Sequence, residues 1–316
     1  MNTVTAPLFS PASEWSGRND GPGPEHARWH SSIDTASSPT ADAVHLIGFA
    51  SDEGVERNGG RQGAAKGPAA LRAALGSLAV HEQRKLIDAG TVTTQDDDLE
   101  TAQREVSDRV RDLVAAQGSA GMTVVLGGGH ETSFATHRGA YEALGPMQVI
   151  NFDAHFDLRT ADRPTSGTPF RQIAELVGDD FDYSVFGISR PNNTKVLFDT
   201  AEQLGVTTVL DTELAAMTVR EAAERALAAV EGDLPIHLSI DLDVLPAAVA
   251  PGVSAPAGFG VDYAALRAMV AAVASTGRVA LLDVVELNPE FDVDNRTAKA
   301  AARLVDDAVV GATGRR

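Results

Sequence analysis

The sequence predicts an α/β fold in which a parallel sheet is covered by helices on both faces. Three observations carry this. Short apolar runs rich in β-formers recur along the chain, helical patterns lie between most of them, and the runs are nearly continuous in apolar residues instead of alternating. Strands that alternate with helices pair in parallel through crossovers, and a strand buried on both faces has no polar side to show.

The elements follow in order. The first 42 residues of the 316 are rich in Ser, Pro, Gly, Asp and Thr, the composition of a loose arm. Trp15 and Trp29 are out of place in a free tail, so residues 1–42 are expected to form a partly docked arm. From residue 43 the pattern is regular. The expected strands are HLIGFA (45–50), KLIDAG (85–90), MTVVLGG (122–128), MQVINFD (147–153), DYSVFGI (182–188), VTTVLD (206–211), IHLSIDLD (236–243) and VALLDVVEL (279–287), eight in all. Helical patterns include LETAQREVSDRVRDLVAAQG, TVREAAERALAAVEG, DYAALRAMVAAVASTG and the closing NRTAKAAARLVDDAVVGA. No proline-rich linker interrupts them, so residues 43–316 are read as one domain.

Bulk properties narrow the function. A net charge of −18 and a pI near 4.7 repel phosphate backbones, which argues against a nucleic-acid partner. An anionic substrate would need a local cluster of Arg to overcome that field. With no cysteine, disulfides, thiolate metal sites and Cys nucleophiles are excluded, and any metal must be held by His, Asp or Glu. No apolar run approaches the ~20 residues that span a bilayer. The N-terminus lacks the basic start and apolar stretch of a signal peptide, so the cytoplasm is the expected compartment.

In a sheet of this kind ligands lie at the carboxyl ends of the strands. Four of the expected strands end in polar groups. VVLGGGHE ends in His130 and Glu131, INFDAHFDLR in Asp153, His155 and Asp157, LSIDLDVLP in Asp241 and Asp243, and DVVELNPEFD in Glu286. Each has a bland reading on its own: a glycine turn with a capping histidine, a solvated strand end, an ordinary loop, a surface acid. Together they place two His and four Asp on one sheet edge. A buried carboxylate without a partner is costly, so such a cluster calls for cations. Six hard or borderline donors without a thiolate suit Mn²⁺ better than Zn²⁺. Two divalent ions would balance four carboxylates, and a two-metal site with a bridging hydroxide makes a nucleophile at neutral pH. A dinucleotide-binding reading of VVLGGGHETS fails because the last glycine of G-x-G-x-x-G is Thr132 here. Metallophosphoesterases would need further Asn and paired-His stations that are absent.

GGGHE, FDAHFDLR, SIDLDVLP…APGVSAP and ELNPEFD, in this order, resemble the ureohydrolase (arginase/agmatinase) family over roughly residues 43–312. The resemblance implies a three-layer α/β/α arginase-like fold with an eight-stranded parallel sheet and two Mn²⁺ per subunit. Carried over by motif, one ion would be held by His130, Asp153, Asp157 and Asp241, the other by Asp153, His155, Asp241 and Asp243. Glu131, FDLR, SGTPFRQI, APGVSAP, GFASDEGVERNGGRQGAAKGP and EWSGRND resemble the formimidoylglutamase branch. That branch implies hydrolysis of N-formimino-L-glutamate to L-glutamate and formamide, a step of histidine degradation, with a trimer or hexamer as the assembly. The alternatives are a hydrolase of another guanidino or amidino acid that releases urea, and a non-catalytic homologue. The sequence departs from arginases and agmatinases at Ser166, where their proton-shuttling histidine would fall; no His occurs between 156 and 236.

On this reading Asp157 accepts a proton from the attacking hydroxide and passes it to the leaving nitrogen, and Glu286 pairs with the substrate's cationic NH group. The carboxylates of a small anionic amidino acid need cationic partners. Arg159 is the first candidate, Arg190 and Asn193 come next, and Arg57 and Arg61 are weaker.

Overall fold

The structure, a computed structural model, describes residues 8–82 and 84–313. Each of the eight apolar runs forms a strand, and two short strands from the arm join them. In chain order these are β1 (Phe9–Ser10), β2 (Ile33–Asp34), β3 (Ala43–Ala50), β4 (Lys85–Thr93), β5 (Met122–Leu126), β6 (Gln148–Phe152), β7 (Asp182–Ile188), β8 (Thr207–Leu210), β9 (Ile236–Asp241) and β10 (Val279–Val285). The sheet order is β1-β4-β3-β5-β10-β9-β6-β7-β8, with β2 also on β4. All pairs among β3 to β10 are parallel.

The sheet therefore has ten strands where eight were expected. The reason is the outer edge of β4, whose free backbone groups would otherwise face solvent. β2 pairs with Leu86 and Ile87, and β1 runs antiparallel to Thr91 and Val92. Two ring N–H groups fasten the arm further. Trp15 donates to Asp88 Oδ2 at 2.8 Å, and the buried Trp29 donates to Asp306 Oδ1 at 3.0 Å.

Helices cover both faces. On one side Leu99–Gln117 packs against Thr132–Leu144. The first of these buries Leu99, Ala102, Val106, Val110 and Leu113, a spacing of three and four that lays one stripe onto β3 and β5. Asp98 caps it by accepting from Thr101 N–H, and Gly118 ends it at φ 65°. On the other side Gly67–Gly76, Tyr263–Ala274 and Arg296–Thr313 pack together and bury Leu71, Leu266 and Val305. This is a three-layer α/β/α arrangement. No helix among the described residues is long and apolar enough to cross a membrane.

The strand order positions the site. β5, β10, β9 and β6 are consecutive neighbours in the middle of the sheet. They are the four strands whose ends carry the polar groups singled out above, and the parallel pairing puts all four ends on one edge.

Candidate metal centre

Each strand end is shaped by its own sequence. β6 stops at Phe152, one residue before the acidic motif. Asp153 then folds the chain back: its Oδ1 accepts the N–H of His155 at 2.6 Å and its Oδ2 accepts from Asn151 Nδ2 at 3.0 Å. The Asp-x-His-x-Asp alternation is thus a turn and not a strand pleat, with Asp157 in the left-handed region at φ 51°. At the end of β9, Asp241 Oδ1 accepts the N–H of Asp243 at 2.8 Å and starts a short 3₁₀ turn. After β5, the glycine run lets the backbone pass close to Ser51; a Cβ on Gly128 would sit 1.8 Å from Ser51 O. That passage delivers His130 just ahead of the helix at Thr132.

These turns bring the donors together. His130 Nδ1 lies 3.1 Å from Asp153 Oδ2, 3.0 Å from Asp157 Oδ2 and 3.0 Å from Asp241 Oδ2. No hydrogen bond forms with any of the three. Donor atoms that converge without bonding to one another are arranged around a common point. A second group joins Asp153, His155 and Asp243, with His155 Nδ1 3.0 Å from Asp243 Oδ2. Asp153 belongs to both groups; Asp241 belongs to the first only, whereas the resemblance put it in both.

The electrostatics ask for positive charge. No Lys or Arg pairs with these four carboxylates among the described residues, and Asp243 Oδ1 is buried without a partner. Burial pushes the His130 ring down, yet Asp153, Asp157 and Asp241 outweigh it and hold the ring well above its ordinary value. Asp243 leads in pushing His155 up to about 11. Burial, with Asp243 and Asp153 adding repulsion, holds Asp241 well above the carboxylate range. Two divalent ions fit this donor set, since they would take the place of protons between oxygen and imidazole ligands.

A cavity of about 300 Å³ opens above the cluster. Glu286 lines it from the end of β10, held at φ 67°. Its Oε1 accepts the His130 N–H at 2.9 Å, while Oε2 is buried without a partner. Burial, with Glu131 and Asp243 nearby, pushes its carboxyl up to about 8. Glu131 itself points away from the cluster. Its Oε1 accepts from Ser51 Oγ at 2.9 Å and Gly54 N–H at 3.1 Å, tying the loop after β3 to the end of β5.

The remaining candidates separate. Arg159 lines the cavity, is exposed, and its guanidinium has no hydrogen-bond or ion-pair partner among the described residues. Asn193 also lines the cavity, but its amide is already engaged: Nδ2 donates to Ala154 O and Ser189 O, both at 2.9 Å, and Oδ1 accepts from Phe156 N–H at 3.1 Å. It clamps the loop after β7 to the turn after β6. Arg190 does not reach the cavity lining. That clamp anchors the two neighbouring segments, and Arg190 stands exposed at the start of the 3₁₀ turn between them. Arg57 is consumed by Glu53 and Glu100, and Arg61 lines the cavity while donating to Val253 O and Ser254 O. Ser166 lines the same cavity and accepts from Asn58 Nδ2 at 3.1 Å. Asn58 and Ser254 were not singled out in the sequence because nothing local distinguishes them.

The fold and this cluster define a class. The Arginase family model matches residues 42–311, and the chain belongs to that family. It is 49% identical over 296 residues to a formimidoylglutamase of Corynebacterium efficiens, a match covering 93% of each chain. Among solved structures it is similar to Trypanosoma cruzi formiminoglutamase with Mn²⁺, at a TM-score of 0.82 and 30% identity over 92% of this chain and 99% of that one. It is also similar to proclavaminate amidino hydrolase of Streptomyces clavuligerus, at a TM-score of 0.77 and 26% identity over 88% and 94%.

Proposed function

We propose that this chain is a dimanganese hydrolase of linear amidines that converts N-formimino-L-glutamate and water to L-glutamate and formamide. The observation that carries it is the convergence of three carboxylates on the unbonded Nδ1 of His130 at the floor of a cavity whose mouth bears the unpartnered Arg159. The similarity to formimidoylglutamases selects the substrate within the class.

His130, Asp153, Asp157 and Asp241 would hold one ion, and Asp153, His155 and Asp243, with Asp241 shared, the other. When bound, the pair supplies Lewis acidity and a water made nucleophilic at neutral pH. The free Oε2 of Glu286 accepts a charge-assisted hydrogen bond from the substrate's NH group and sets the formimino carbon over the cluster. Asp157 takes a proton on its carboxylate and returns it to the glutamate nitrogen as the carbon–nitrogen bond to that nitrogen breaks. Arg159 meets a substrate carboxylate at the mouth, and Asn193 keeps the loop that carries Asp157 in place. A homo-oligomer, trimer or hexamer, and a cytoplasmic setting complete the proposal.

The test is product analysis after Mn²⁺ activation, with N-formimino-L-glutamate offered beside arginine, agmatine and a guanidino acid. Formamide and glutamate from the first alone is the expected result. Urea from one of the others would keep the metal chemistry and overturn the substrate.

A further inference from the structure

Behind the cluster lies a buried polar chain that the reaction above does not use. His237, Ser239 and Asp241 alternate along β9 and so share one face of the sheet. Asp283 of β10 is in register with Ser239 and lies on the same face. The helix Thr132–Leu144 covers that face and contributes Ser133, Thr136 and His137. His137, His237, Ser239 and Asp283 are all essentially inaccessible to solvent.

The contacts form two runs that face each other where Ser239 and Asp283 pair in register. His130 Nε2 is 3.1 Å from Ser239 Oγ, and Ser239 Oγ is 3.2 Å from Ser133 Oγ. Asp283 Oδ2 accepts from Thr136 Oγ1 at 2.8 Å and pairs with His237 Nε2 at 2.7 Å. His237 Nδ1 faces His137 Nδ1 at 3.2 Å. Asp283 Oδ1 is buried without a hydrogen bond.

The direction of these contacts follows from the ligand. If His130 is to offer a bare Nδ1 to a cation, its hydrogen must sit on Nε2 and be donated to Ser239 Oγ. The Ser239 hydroxyl then has to donate onward. The orphaned Oδ1 of Asp283, on the residue that pairs with Ser239 in the neighbouring strand, is a stronger acceptor than a second serine.

We propose that Asp283 is a positioning residue for the metal centre: through Ser239 it fixes the ring and tautomer of His130, and the His237–His137 pair holds Asp283 in place. The inference rests on the reading of the cluster as a manganese site. Burial alone would push the Asp283 carboxyl up, but His237 brings it down to about 2, so it stays an acceptor throughout the working range. Burial keeps His137 neutral, with His237 adding to the effect, so one of the two facing Nδ1 atoms carries a hydrogen and the other a lone pair. Four side chains that could each have been apolar are instead polar and gathered on one buried face, and polar groups behind a ligand orient metal-bound imidazoles.

The experiment is Mn²⁺ binding by calorimetry, with the Mn²⁺ spin-resonance spectrum as a second readout, on wild type, Asp283→Asn, Ser239→Ala and the double variant. Wild type should bind two ions; binding of none would overturn the manganese reading itself. Given two in wild type, each single variant should weaken one ion by about 10–100-fold and leave the other unchanged. At limiting Mn²⁺ the spectrum should lose its coupled pair. The double variant should be no weaker than the worse single. Unchanged affinity in Asp283→Asn, or losses that simply add, would overturn the proposal alone. Should Asp283→Asn fail to fold, His237→Asn leaves the carboxylate in place and removes its 2.7 Å partner. The same selective weakening is expected there, and wild-type affinity would overturn the proposal.

Discussion

Glu286 Oε1 accepts the backbone N–H of His130 at 2.9 Å, across 156 residues of chain. One oxygen of this buried carboxyl holds the end of β5 to the end of β10; the other is free toward the cavity. A left-handed φ of 67° on a residue with a Cβ is costly, and it persists where the surroundings over-determine it. The division of labour between the two oxygens leads to the first prediction.

Glu286→Gln keeps an oxygen for the His130 N–H but puts a donor NH2 group where the amidine's NH needs an acceptor. kcat/KM should fall by roughly 10²–10³-fold, with two Mn²⁺ still bound. Steady-state kinetics beside metal analysis checks this. A change within a few-fold would mean that Glu286 does not meet the substrate.

Arg159→Ala removes a guanidinium that has no partner among the described residues to strand. KM should rise about 10–100-fold with kcat within a few-fold, because the lost contact is made equally in ground and transition states. Arg190→Ala, outside the cavity lining, should leave both constants unchanged.

Chelation should destabilise the protein, because ions bind the folded cluster and not the unfolded chain. The Tm should drop by several degrees in a chelator and return on adding Mn²⁺. Equal Tm values with and without the ion would argue that the carboxylates are balanced some other way.

His137 sets an acid sensitivity. Burial, then His237, lowers its pKa from the ordinary imidazole value of 6.5 to about 3 in the fold. The unfolded chain therefore binds more protons across this window. The stabilising contribution of the neutral ring is complete above 6.5 and is lost progressively as pH falls toward 3. Denaturant unfolding between about pH 6.5 and 4 should lose on the order of 1 kcal/mol per pH unit from this group. In His137→Gln that part of the slope should vanish.

Asp88 accepts from Trp15 and from two nitrogens of Arg72, so Asp88→Asn leaves a mostly buried guanidinium short of charge. A loss of about 3 kcal/mol is expected. With only two tryptophans in the chain, release of the Trp15 ring should also appear as a red shift in emission.

Much of this protein is legible in order along the chain. The eight main strands are visible because a parallel strand buried on both faces must be apolar throughout, as VVL before Gly127 and LLDVV before Glu286 nearly are. The donors are visible because Asp-x-His-x-Asp and Asp-x-Asp are expensive to bury for any other purpose. The His237–Ser239 pair carried a signal that went unused: a period-two polar stripe in an otherwise apolar run leads directly to Asp241.

Arg190 and Asn193 show where such reading ends. Both lie in the loop after β7, yet that loop exposes one and spends the other on backbone carbonyls. The arm's short strands were likewise invisible, since two residues carry no periodicity and pair only because β4 offers an open edge.

Composition, periodicity and motif spacing thus determine which segments are strands, which are helices and which side chains can hold a cation, since these depend on neighbours a few residues away. The sheet order that sets β5 beside β10, and β9 beside β6, belongs to the folded molecule. So do the turn at Asp153 and the gathering of His130, Ser239, Asp283, His237 and His137 behind the cluster. Each depends on contacts between residues far apart in sequence, formed only when crossover helices pack and backbone groups find their partners.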